Sequence, residues 1–250
     1  MNALAVTLMD ICQEYLPQPA LRPFVESIWH TPPIASSHFE IIPDGCVDVC
    51  FVLSHSSPRT LLFGTTTRTS EYDMEIGVAY FGVRFRTGKA SLFIRDKISE
   101  LTDAHLVIPD FLGLTAERIL SAGAPAAWRI ELENALLLAL GGSSHKDVRP
   151  IQHAVNLIDS RYGDIKVRDI ANSCNLSERH LERLFLEQVG VTPKFYARIR
   201  RFRSVLNVFA DPASDEKPKL AELAAEYGYV DQSHLMRDFA SFSHSLPTAL

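Results

Sequence analysis

Two clusters of side chains able to pair with base edges recur at a fixed interval toward the C-terminal end of the chain. The first holds Arg179, Glu182 and Arg183, and the second holds Gln232, Ser233, His234 and Arg237. Arg fits guanine O6 and N7 as a bidentate fork, Gln pairs with adenine, Glu can accept from cytosine N4, and Ser reads either. The clusters occupy equivalent places in a repeat. Leu181, Arg183 and Phe185 are answered 54 residues later by Leu235, Arg237 and Phe239, whereas Ala171 is answered by Ala224 after 53. One extra residue therefore falls in the second copy's turn.

Such side chains act only if something rigid holds them outward. In the first copy Val167 to Ala171 forms a short apolar helix, a tight turn follows, and Ser177 caps a second helix. In the other copy Leu220 to Ala224 and Asp231 do the same. Ser and Asp suit that position because their oxygens accept orphan backbone N–H groups. With Leu181, Leu184 and Phe185, or Leu235 and Phe239, turned inward, helical spacing turns the polar clusters outward. Each copy is a helix-turn-helix, spanning about residues 166–188 and 219–242. Lys166 and Lys219 precede the first helices, an electrostatically poor choice at a helix N-terminus. Asn175 stands where the second copy has Gly228, and tolerates left-handed backbone better than most residues. Thr192-Pro193 opens a spacer helix over 193–209, with Pro harmless at the first helical position. That spacer is about 24 Å long, which with the motif widths suits recognition helices about 34 Å apart in successive major grooves. Arg198, Arg200, Arg201 and Arg203 along it are candidate phosphate contacts, Arg201 foremost.

This combination, with Asn175-Leu176-Ser177, Arg183-Leu184-Phe185, Gly190-Val191-Thr192-Pro193 and Gly228 to Phe239, resembles the AraC/XylS family of bacterial transcription regulators. The resemblance covers about 100 residues from Ile151 onward. It implies sequence-specific binding of double-stranded DNA through both recognition helices, regulated by an N-terminal domain that senses a small-molecule effector or mediates dimerisation. RNA polymerase and a second copy of the chain are further candidate partners. Leu21 to Trp29, Ile42 to Cys46 and Gly82 to Arg86 resemble a sensor-type domain, for which a cupin-like barrel is the expected architecture. The second copy stops three residues after Pro247, so a closing helix like that after Pro193 is expected to be missing.

The first ninety residues agree with a β-rich domain, since runs of Val, Ile, Phe and Tyr alternate with Pro, Gly and Ser. Strands are expected over 24–30, 46–53, 60–65 and 78–85, and helices from Lys89 onward. In Ala126 to Leu140 an apolar stripe of Ile130, Leu132, Leu136, Leu137 and Leu140 suggests a bundle or dimer helix. Gly141 to Lys146 has a linker composition. The expected fold class is α+β in two domains: a β-rich, cupin-like barrel domain with following helices (1–142), a linker (143–150) and an all-α tandem helix-turn-helix domain (151–250).

The chain has 250 residues, 46% hydrophobic and 22% charged, which excludes a low-complexity or disordered class. Its net charge of −5 is unevenly spread. Residues 148–250 hold 14 Lys and Arg against 13 Asp and Glu, so the acidity lies in residues 1–147. No apolar run exceeds the six residues 135–140, too short to cross a bilayer. The N-terminus has no signal-peptide pattern, and the four cysteines form no C-x-x-C, so a cytoplasmic protein with free thiols is expected. Cys46 and Cys50 share a strand face and read as apolar filler. His30, His38, His55 and Glu40 raise a rival reading, a cupin-type metal-dependent enzyme fused to a DNA-binding module. They lack compact ligand spacing, so no metal, cofactor or catalytic residue is assigned and the protein is read as a non-enzyme. Arg84 and Arg86 read as an edge or surface pair.

Overall fold

The computed structural model describes residues 11–35, 38–142, 147–210 and 219–243. Among the described residues its N-terminal half has eight strands in two antiparallel sheets. Six of them, β1 (Gln13–Tyr15), β2 (Val25–Thr31), β7 (Ala79–Phe85), β4 (Val47–Leu53), β5 (Arg59–Phe63) and β8 (His105–Ile108), lie side by side in that order. The others, β3 (His38–Ile41) and β6 (Ser70–Asp73), pair with each other.

Alternation along the strands creates two cores. Val47, Val49, Phe51 and Leu53 of β4 face one side with Phe81, Val83 and Phe85 of β7, while Cys50, Val52 and Tyr80 face the other. With both faces covered, β4 reads as a nearly unbroken apolar run. The first face is closed by two 3-10 turns, Ala90–Leu92 and Ile98–Leu101, and by α1 (Ala116–Ser121) and α2 (Pro125–Gly141). The second core adds Phe39 of β3 and Met74 just beyond β6.

Two expectations need correction here. The pattern does not stay helical after Lys89, because Leu106 and Val107 lie in β8, paired with β5. On α2, Trp128, Leu132 and Leu136, four residues apart, are buried and Leu137 and Leu140 pack beside them, whereas Ile130, expected in that stripe, is exposed, as is Leu138.

The C-terminal half is helical: α3 (Arg149–Ser160), α4 (Val167–Ser173), α5 (Glu178–Val189), α6 (Pro193–Ala210), α7 (Leu220–Glu226) and α8 (Gln232–Phe242). One core joins α3, α4 and α5 with Tyr196 and Ala197 of α6. Another joins α7 and α8 with Ile199, Phe202 and Val205 of α6. The spacer helix thus belongs to both units and fixes one against the other. Of the linker expected at 143–150, residues 143–146 lie outside the described residues, and Arg149 and Pro150 already belong to α3.

Candidate nucleic-acid interface and effector cavity

Both helix-turn-helix turns form as their residues dictate. Ser177 Oγ accepts from His180 N at 3.2 Å and Asp231 Oδ1 accepts from His234 N at 2.7 Å, capping α5 and α8. Asn175 and Gly228 take the left-handed backbone of the two turns, with φ of 55° and 70°. Lys166 and Lys219 precede α4 and α7 without a side-chain cap bond.

Exposure divides each recognition helix by face, and the C-terminal end of α5 is buried as well. On α5, Arg179, Glu182 and Arg183 are exposed, while Gln188 and Val189 at the far end are buried. On α8, Gln232, Ser233 and Arg237 are exposed, while Asp238, Phe239 and Phe242 are buried. Arg183 reaches Glu187 one turn on, at 3.3 Å, with most of its side chain in solvent. His234 is half-buried. Its ring lies edge-on to Tyr229 and its Nδ1 is 3.4 Å from Val230 N, so it braces the turn.

The spacer arginines differ from expectation. Arg198 Nη2 lies 2.8 Å from Asp238 Oδ1, whose side chain is 3% exposed, and Arg198 also covers the rings of Phe195 and Phe242. Arg200 pairs with Asp159 at 2.8 Å. Arg201 Nη1 donates to Gly228 O at 3.0 Å and its guanidinium lies over Tyr229. Arg203 lines a cavity of the N-terminal half. The first three therefore tie the spacer helix to its neighbours, and Arg203 faces the cavity. The sequence carried a signal for the first, since Asp238 follows the outward Arg237 on the helix's inner face, where a lone carboxylate requires a partner.

The cavity measures about 350 Å³ and lies on the sheet face toward β3 and β6. Trp29, Phe39, Tyr72 and Met74 supply apolar walls. Arg84, expected at an edge or surface, is only 19% exposed and sits between two carboxylates: Nη1 is 3.2 Å from Asp44, and Nε is 3.2 Å from Asp48. Burial opposes its charge, but Asp48 and Asp44 hold its pKa well above the ordinary value. Burial pushes Asp48 up, with Arg84 working against that rise. Glu40, Glu71 and Asp103 also line the space, giving five carboxylates to the two guanidiniums of Arg84 and Arg203. Period-2 alternation could have placed Arg84 here, opposite Val83 and Phe85. Arg86 is exposed beyond the strand.

The remaining candidates scatter. Cys46 and Cys50 line the cavity, and burial raises both thiols. His38 pairs with Asp73 and Glu71, which raise its pKa, in the order Asp73 hydrogen bond, then Glu71 charge. His30 stacks on Tyr15, and burial lowers its pKa. Among the described residues no group of three His, Cys, Asp or Glu could hold a metal ion, and no helix is long and apolar enough to cross a membrane.

The two halves dock directly. Tyr196 of α6 donates toward Asp159 Oδ1 at 2.9 Å and lies 3.3 Å from Thr87 Oγ1 of the N-terminal half. Ile42 packs into the core of the second helix-turn-helix. At the end of α5, Gly190 has φ of 94°, and a Cβ there would stand 3.0 Å from Thr102 Oγ1 and 3.1 Å from Ile98.

This is a tandem helix-turn-helix protein with a β-rich domain ahead of it. Residues 170–250 match the family described as a helix-turn-helix domain, and residues 13–107 match one described as a domain of unknown function (DUF6597). The first match agrees with the resemblance of the C-terminal domain to the AraC/XylS regulators. The XylDLEGF operon transcriptional activator of Pseudomonas putida is 28% identical over 85 residues, covering 34% of this chain and 26% of that protein. The lactose operon transcription activator of Staphylococcus xylosus is 29% identical over 90 residues, covering 36% and 31%. The chain thus spans only about a quarter to a third of the length of these relatives. Among solved structures, fatty-acid-bound ToxT from Vibrio cholerae is 13% identical over 88% of this chain and 91% of that one, with a TM-score of 0.44.

Proposed function

We propose that the protein is a sequence-specific DNA-binding transcription regulator whose two recognition helices enter adjacent major grooves. The observation that carries this reading is the matched exposure of Arg183 and Arg237 at equivalent positions of two helix-turn-helix units built on one spacer helix. Arg179, Glu182, Gln232 and Ser233 complete the base-reading set. The operon activators named above, though matched over a minority of their length, support the same role. The domain limits at 142 and 151 are supported by the cores, which divide the chain there except for Ile42. We assign no catalytic step to the chain. Hydroxyl-radical footprinting of the full chain on a duplex selected from a random library should show two protected segments about one helical turn apart on one face. One protected segment alone would make one unit structural.

The N-terminal cavity is the effector site in this reading. Arg84 is already neutralised by Asp44 and Asp48, so the excess of carboxylates favours a small organic cation with an apolar body. Trp29 lies in the wall, and Trp128→Phe leaves it the only indole. Titration followed by its fluorescence should show phenethylammonium binding about tenfold more tightly than the equally sized neutral 2-phenylethanol, with 3-phenylpropionate weakest. Tighter binding of the carboxylate would reverse the assigned charge. Ile130 and Leu138, exposed on α2, are apolar groups available to a second copy.

A further inference from the structure

One short loop touches the cavity and both recognition helices. It runs from Gly64, after β5, to Ser70 at the start of β6. Thr65 Oγ1 donates to Val189 O at 2.6 Å, and Thr69 Oγ1 donates to Phe242 O at 2.6 Å. From the neighbouring turn, Thr102 Oγ1 donates to Gly190 O at 2.8 Å. Val189 and Phe242 are the last residues of α5 and α8. The C-terminal carbonyls of a helix have no partner within it and need one from outside. Here the N-terminal half supplies that partner to both recognition helices, at the C-terminal ends, beyond Arg183 and Arg237. Thr65 and Thr69 are themselves buried.

Three other residues of the same loop face the cavity. Gly64, Thr66 and Ser70 line it, and so does Asp103, which accepts from both Thr67 N and Thr67 Oγ1. The loop is therefore held on one side by a cavity carboxylate and on the other by hydroxyls bound to the helix ends. Hydrogen bonds are short and directional. A loop this short cannot shift on its cavity side and leave both sets of bonds at their present geometry.

We infer that the loop between β5 and β6 is a relay through which the occupant of the cavity and the DNA on the recognition helices bias each other, an inference that rests on the regulator reading above. It assigns a regulatory role to Thr65 and Thr69, which have no part in reading DNA. Linkage makes the relay reciprocal: if a ligand in the cavity alters DNA affinity, DNA must alter the loop. The test therefore needs no effector.

Hydrogen exchange would be measured by mass spectrometry on the full chain, free and saturated with a duplex selected by the protein from a random library. DNA should slow exchange in 178–189 and 232–242, and should also change exchange in 64–70 by about tenfold, the scale of ordinary coupling between sites. In Thr65→Val/Thr69→Val the change in 64–70 should vanish while slowing at the recognition helices persists. Thr65→Ser/Thr69→Ser, which keeps both hydroxyls, should retain it. The wild-type measurement can overturn the relay alone: slowing at both recognition helices with unaltered exchange in 64–70 would do so. Absence of slowing at the recognition helices would instead overturn the regulator reading, and the relay with it.

Discussion

Asp238→Ala is expected to destabilise the second helix-turn-helix by about 3 kcal/mol or more, because it strips the partner from a guanidinium held against two rings. Asp238 is buried and accepts from both Nε and Nη2 of Arg198, at 3.1 and 2.8 Å. Once the carboxylate is gone, Arg198 must carry an unpaired charge beside Phe195 and Phe242 or swing away and open the packing between α6 and α8. Urea unfolding followed by far-UV circular dichroism measures the loss. Replacing both partners, as in Arg198→Met/Asp238→Leu, should recover most of it, since an apolar pair of similar volume avoids the desolvation that the ion pair must overcome. A single Ala variant within about 0.5 kcal/mol of wild type, the range of ordinary surface substitutions, would mean that the pair is screened and contributes little.

The same ion pair shows where the sequence could be read and where it could not. The two caps, the two left-handed turn residues and the inward Leu and Phe positions are local chemistry, so Ser177, Asp231, Asn175 and Phe239 could be placed from spacing alone. The four stronger strands were likewise legible, because strands covered on both faces read as nearly unbroken β-branched and aromatic runs between turn residues. Outside that local grammar the sequence is ambiguous. β3 and β6 are four residues each, carry Glu40 and Glu71, and exist by pairing with one another across nearly thirty intervening residues. β8 follows two 3-10 turns and is specified by its partner β5 rather than by its own composition.

The site divides along the same line. Outward positions on α5 and α8 follow from helical period. The destinations of Arg84, Arg198, Arg200, Arg201 and Arg203 depend on which carboxylate, carbonyl or cavity lies opposite, a tertiary fact. An Arg on an amphipathic helix is as consistent with phosphate as with a neighbouring Asp until the neighbour is located. The threonines of the loop before β6 carry no motif at all. Their role comes from docking two domains that the sequence presents as separate.

The spacer-helix geometry changes what mutation of the arginines should do. Arg183→Ala and Arg237→Ala are each expected to weaken binding to a selected duplex by about 1 to 3 kcal/mol, with preference relaxed at one base position apiece. Neither should unfold the domain, since both side chains are exposed and Arg183 holds only a surface pair with Glu187. Arg201→Ala belongs to another class. As a phosphate contact it would weaken all sequences alike and lower the salt slope by about 0.9. Held instead on Gly228 O and Tyr229, it should cost about 1 to 2 kcal/mol of stability in the second unit and leave the salt slope unchanged at temperatures where that unit stays folded. Salt titrations of the three variants on selected and scrambled duplexes, beside their urea midpoints, separate these outcomes. A reduced slope for Arg201→Ala at full stability would return it to the phosphate backbone. Equal losses on both duplexes for Arg183→Ala and Arg237→Ala would move base reading to Arg179, Gln232 and Ser233.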